Sequence, residues 1–135
     1  ANVILRVSVP QEPIEVVVDE RLFKQAMLNL MINAVQAMTG DDAMGQAACE
    51  LLIAAQDAGD AVRISVADTG PGIDPDRLET IFHPYVSGRK GGTGLGLPTT
   101  RRIIEEHGGS LVVSSERGRG TEFVIELPKS KSRLT

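Results

Sequence analysis

Apolar residues recur along this chain with two periods, and the switches between them mark out its elements. Residues 3–8 and 14–18 predict two short strands around the turn Pro10-Gln11-Glu12-Pro13. Over residues 20–38 the period lengthens to that of a helix. There Phe23, Met27, Leu30, Met31, Ala34 and Met38 fall on one stripe, with Asp19 placed as the cap and Glu20 in the first turn. A Gly-, Asp- and Ala-rich stretch over 39–49 predicts a loop. Residues 50–56 and 61–68 predict a hairpin turning at Asp57-Ala58-Gly59-Asp60. Residues 75–81 predict a short helix, and 83–93, carrying Gly, Arg and Lys, a mobile segment. A further helix starts at Leu97 or Pro98 and stops at Gly108-Gly109. Residues 110–115 and 121–127 predict a closing hairpin over Glu116-Arg117-Gly118-Arg119-Gly120. The tail 129–135 is expected to be disordered.

Strands and helices are interleaved, yet the strands are mostly joined by hairpins. That favours a mixed, largely antiparallel sheet over a doubly wound one. The expected fold class is α+β: a two-layer α/β sandwich with about three helices on one face of the sheet and a ligand between the helical layer and its loops. No internal repeat is visible, and one domain is expected over residues 1–128.

Composition narrows the function classes. Of the 135 residues, 41% are apolar and 24% charged, ordinary for a soluble globular domain. No apolar run reaches the roughly 18 residues of a membrane span, and no signal-peptide pattern opens the sequence. A cytoplasmic domain without direct membrane contact is therefore expected. A net charge of −4 argues against a nucleic-acid partner, since phosphate backbones need a basic face. The single cysteine, Cys49, cannot form an internal disulfide and reads as a small apolar filler.

The pattern itself singles out Asp68. In residues 61–68, alternation puts Val62, Ile64, Val66 and Asp68 on one face, with Arg63 and Ser65 on the other. A carboxylate that continues an inward apolar row needs a donor. Loop amides at Gly70 or Gly72 would make it a plain turn-forming aspartate; the exocyclic amino group of adenine would make it a base reader. Guanine offers a carbonyl at that position, so the second reading carries a preference for ATP.

Asn29 and Asn33 lie four positions apart, on one side of the long helix beside its apolar stripe. They are either edge amides bonded to neighbouring loops, or donors to a magnesium ion held otherwise by phosphate and water. Gly92-Thr93-Gly94-Leu95-Gly96-Leu97 runs straight into a helix, an arrangement that suits an anion. It matches neither the P-loop nor the dinucleotide pattern, and a flexible loop before a helix is its other reading.

Together, Asn29-Leu30-Met31-Ile32-Asn33-Ala34, Asp68-Thr69-Gly70-Pro71-Gly72-Ile73 and Gly92-Thr93-Gly94-Leu95-Gly96-Leu97 resemble the ATP-binding catalytic domain of sensor histidine kinases. That family is a branch of the superfamily that also holds DNA gyrase, a heat-shock chaperone and the MutL repair protein. The resemblance covers about residues 10–128 and implies a Bergerat fold with a mobile ATP lid. It implies ATP and Mg2+ as ligands, with Asn33 on the magnesium and Asn29 close to the phosphates. Asp68, Gly70, Gly72, Ile73 and Thr121 would surround the adenine. Gly92, Thr93, Gly94, Leu95, Gly96 and Leu97 would hold the phosphates.

Phe82-His83-Pro84-Tyr85 resembles the F box before the lid, with Phe82 and Tyr85 as packing anchors and Tyr85 beside the nucleotide. Arg89 stands where relatives often have a lysine facing the phosphates. Arg89 and Lys90 are the candidate cations there, or else solvated loop charges. Asn29 and Arg89 are the candidate catalytic residues. His107, ending a helix before Gly108, reads as its cap, at a place where a cation suits the helix dipole; His83 has no metal-ligand companion.

Two departures are informative. Gyrase-like and chaperone-like members carry a water-activating glutamate where this chain has Asn29, and an amide cannot take that proton. Gln36 stands where many histidine kinases have Lys or Arg. The resemblance implies transfer of the γ-phosphate to a histidine on a dimerisation and phosphoacceptor domain, with a response regulator downstream. The two-helix hairpin of that domain is not in this sequence, so the isolated domain is expected to be a monomer. The alternatives are a serine kinase of the same superfamily and a non-catalytic ATP-sensing scaffold.

Overall fold

The alternating run at residues 61–68 becomes the centre of the sheet. The computed structural model describes residues 3–39, 49–83 and 96–129. Its elements are β1 (Ile4–Ser8), α1 (Glu20–Thr39), β2 (Glu50–Asp57), β3 (Ala61–Asp68), α2 (Pro75–Leu78), α3 (Gly96–Glu106), β4 (Ser110–Glu116) and β5 (Gly120–Pro128). The five strands lie in the order β1-β2-β3-β5-β4. β1 runs parallel to β2, and every other pairing is antiparallel. α1 and α3 pack on each other and on one face of this sheet, α1 against β2 and β3 and α3 against β4. The α+β sandwich expected from the pattern is thus the observed architecture.

The inner face carries the core. Val62, Ile64 and Val66 of β3 meet Leu127, Ile125 and Phe123 of β5 in register, and all six are buried. α1 lays Ala26, Leu30, Ala34 and Met38 over them, while Phe23, Met27 and Met31 flank that stripe half-buried. Such four-residue spacing makes one continuous ridge on the helix. Phe82 meets Phe123 edge-on at 6.3 Å between centroids, and the Arg101 guanidinium lies 5.0 Å over the Phe82 ring. Phe82 thus packs against the core as an ordinary core aromatic would. Cys49 is a buried free thiol within the same core.

Four expectations are corrected. Residues 14–18 are not a strand: Ile14, Val16 and Val18 turn inward, but β1 takes β2 as its partner and leaves this segment outside the ladder. Apolar alternation reports burial on one side, and a strand also needs a hydrogen-bonding neighbour. α2 is shorter than expected, because three-residue turns such as Thr80 N–H to the Arg77 carbonyl and His83 N–H to the Thr80 carbonyl replace its last helical turn. Lys129 does not belong to the tail, since its N–H donates to the Asp60 carbonyl and its ammonium pairs with Asp57. That ammonium and the Gly59 N–H hold the Asp57 carboxyl below its ordinary range.

His107 is the fourth. It is buried, and its Nδ1 donates to the Ile103 carbonyl at 2.8 Å while Nε2 accepts the Asp19 N–H at 3.0 Å. This pairing caps the last turn of α3, as the place before Gly108 suggests, but through the neutral ring and not through a cation. It ties the end of α3 to the start of α1, where Asp19 also caps the Leu22 N–H as expected. His107→Ala leaves the Asp19 N–H without this partner and is expected to cost about 1–2 kcal/mol, read from a denaturant titration.

Candidate functional site

The inner row of the sheet changes chemistry at one end. By register, Leu51 of β2, Asp68 of β3, Thr121 of β5 and Ser115 of β4 stand side by side, one step beyond the apolar pair Val66 and Phe123. Asp68 is 7% exposed and Thr121 6%. The alternation that buries Val62, Ile64 and Val66 therefore carries a carboxylate to the rim of the core. One Asp68 oxygen accepts the Gly70 N–H at 2.8 Å. The turn-forming role is thus real.

The loop after Asp68 is stitched down at several points. Thr69 Oγ1 accepts the Glu50 N–H at 3.0 Å, which ties the loop to β2. The Gly118 N–H donates to the Pro71 carbonyl at 2.8 Å, and the Ile73 N–H donates to Ser115 Oγ at the same distance. Asp74 pairs with Arg117 on the β4–β5 turn. Gly72, at φ +82°, lies so close to that turn that a Cβ would run into the Glu116 carbonyl and the Arg117 backbone. Only glycine combines that conformation with that approach. Gly70 packs on α1, where an added Cβ would stand 3.4 Å from Ala37.

The helices supply the other wall. Asn29, Asn33 and Ala37 are each four residues apart and form a second stripe beside the core stripe of α1. Ala37 faces Gly70. At the other end, Asn29 Nδ2 donates to Thr100 Oγ1 at 3.2 Å and to the Gly96 carbonyl at 3.4 Å. The half-buried Asn33 therefore stands midway between the Asp68 loop and the start of α3. Eight residues of helix put those two ends about 12 Å apart. Thr100 is fully buried, with its hydroxyl on the Gly96 carbonyl at 2.8 Å. The first turn of α3 carries no acidic residue, so its positive end is not neutralised locally.

The expected site residues thus fall into two groups. Asn29, Asn33, Asp68, Gly70, Gly72, Ile73, Gly96, Leu97 and Thr121 are described, on α1, at the start of α3 and at the Asp68 end of the sheet. Tyr85, Arg89, Lys90, Gly92, Thr93, Gly94 and Leu95 lie outside the described residues. Gly96, not Leu97 or Pro98, is the first residue of α3. The asparagine pair divides: Asn29 takes the edge-amide role, bonded to α3, and Asn33 stands one helical turn nearer the Asp68 loop.

Two supporting residues were not singled out by sequence. Ser115 follows Leu111 and Val113 on the inward parity of β4, the same signal that marked Asp68. Thr100 shares the buried side of α3 with Ile103 and Ile104.

Among the described residues no group of three or more His, Cys, Asp or Glu side chains could hold a metal ion. No described helix is long and apolar enough to cross a membrane.

Comparison with known proteins gives a concordant picture. Residues 18–131 match the family model for histidine kinase-, DNA gyrase B- and HSP90-like ATPases. Sensor histidine kinase ZraS from Escherichia coli is 40% identical over 119 residues, which cover 88% of this chain and 24% of ZraS. The chain thus spans about a quarter of that relative's length. A nucleotide-free structure of the catalytic domain of histidine kinase ThkA superposes with a TM-score of 0.79 at 34% identity, over 94% of this chain and 79% of that one. Full-length ShkA in complex with AMPPNP gives 0.78 at 35% identity, over 93% of this chain and 25% of that one.

Proposed function

Since this chain belongs to the histidine kinase-, DNA gyrase B- and HSP90-like ATPase family, among histidine kinase catalytic domains, we propose that it binds Mg-ATP at the Asp68 end of the sheet, between α1 and α3. From there it presents the γ-phosphate to a histidine on a separate dimerisation and phosphoacceptor domain. The observation that carries this reading is Asp68, a carboxylate at the end of an otherwise apolar row, with Thr121 beside it and a fixed glycine loop above. A buried carboxylate in that position can accept from the amino group of adenine. The triphosphate then runs along the Asn33 stripe toward the start of α3, where backbone N–H groups and the helix dipole favour anions.

The donors present fit magnesium. Asn33 offers one hard amide oxygen, and magnesium is usually held by few protein groups, its remaining positions filled by phosphate and water. When bound, the ion neutralises charge on the phosphates during transfer. Asn33→Ala is expected to remove the gain in ATP affinity that magnesium gives, roughly tenfold, and to leave magnesium-free binding unchanged. Calorimetry with and without the ion reads both.

Asn29 holds α1 to α3 and has no carboxylate with which to activate water. The domain therefore keeps ATP for transfer rather than hydrolysing it. On this reading it works in the cytoplasm, beside the ATP pool, and is monomeric on its own; the phosphate passes onward to a response regulator. The test is to supply a phosphoacceptor domain in trans with ATP. Acid-labile phosphohistidine on that domain is the expected result. Phosphoserine on a partner would favour the serine-kinase alternative, and no transfer by a chain that binds ATP would favour a scaffold.

A further inference from the structure

The row Asp68, Thr121, Ser115 ends on a hydroxyl whose hydrogen bonds can be counted. Ser115 Oγ has one proton and two lone pairs. The Ile73 N–H donates to it at 2.8 Å and occupies one lone pair. The Gly120 carbonyl, 3.0 Å away, can only accept, so it takes the Ser115 proton. The Thr121 hydroxyl, 2.9 Å away, is then left to donate into the second lone pair.

We infer that Ser115 is a positioning residue that sets base specificity: by taking the Thr121 proton, it leaves Thr121 Oγ1 with only lone pairs to offer a ligand. Thr121 then stands as an acceptor directly opposite Asp68, itself a carboxylate, on the neighbouring strand. With the exocyclic amino group of adenine set against Asp68, its two N–H bonds meet both acceptors, and guanine in the same pose would set a carbonyl oxygen against them. This rests on the proposed nucleotide reading and deepens it. Preference for adenine over guanine has a second source beyond Asp68, in a residue that acts through Thr121. The same hydroxyl also fixes the glycine loop through Ile73, so one atom couples the loop position to the proton direction.

The test is a calorimetric comparison of non-hydrolysable ATP and GTP analogues and inorganic tripolyphosphate. It uses the unmodified chain, Ser115→Ala, Ser115→Thr and Thr121→Val. Ser115→Ala frees the Thr121 proton to turn toward the ligand, so the ATP-to-GTP affinity ratio is expected to fall roughly tenfold, with tripolyphosphate binding unchanged. Ser115→Thr keeps the hydroxyl and is expected to restore the ratio. Thr121→Val keeps the shape, removes the acceptor and lowers the ratio similarly, which also serves if Ser115→Ala does not fold. An unchanged ratio in the folded variants overturns the inference. So does an equal loss for all three ligands, which would give Ser115 a purely structural role. Failure of the unmodified chain to bind any nucleotide would instead sink the nucleotide reading itself.

Discussion

Asp68→Asn is expected to lower ATP affinity on the order of 100-fold while leaving the fold intact. The substitution separates the two roles of this side chain. As a turn former, Asp68 needs only an oxygen for the Gly70 N–H, now bonded at 2.8 Å. Asparagine keeps such an oxygen. As a base reader, it needs an acceptor toward the ligand, and asparagine turns an NH2 group there against the amino group of adenine. Hydrogen bonds to charged groups contribute about 1.5–3 kcal/mol, and a mismatched buried donor costs a similar amount again. The measurement is calorimetric titration alongside thermal unfolding. A variant that unfolds at the original temperature but binds ATP weakly confirms a base reader. One that binds normally reduces Asp68 to its turn.

Gly120→Ala is expected to destabilise the chain by about 3 kcal/mol or more. Gly120 opens β5 at φ +131°, where a side chain is strained on conformation alone. A Cβ there would also overlap the Asp68 carbonyl, a backbone atom that cannot swing away. With domains stable by only about 5–15 kcal/mol, this is a large share. Gly118, in the same turn at φ +85°, has nothing within 4 Å of an added Cβ, so Gly118→Ala is expected to cost only about 1 kcal/mol. Denaturant titration of both variants checks the contrast. Equal costs would mean that the close packing of β5 on the end of β3 does not matter.

The sequence makes one side of the site legible and hides the other. Val62, Ile64, Val66 and Asp68 could be read as one face because a strand has a period of two and this face is buried. The same parity argument would have found Ser115 at the end of Leu111 and Val113. Asn29 could be placed on the right side of its helix, but not assigned a partner. Thr100 and Gly96 lie about seventy positions away, and only the packing of α1 on α3 brings them together. His107 was half legible for a related reason. Its place before Gly108 signals the helix end that it caps through Ile103, whereas its second partner is the start of a helix 88 residues earlier. Residues 14–18 show the limit of alternation, which reports which side faces the core but not which edge is paired.

The central claim is an adenine-nucleotide site at the Asp68 end of the sheet. Its most direct test is calorimetric titration of a non-hydrolysable ATP analogue into the unmodified chain, with and without magnesium. The account predicts binding of one nucleotide per chain, strengthened by magnesium. A folded chain that takes up no nucleotide under either condition would contradict it.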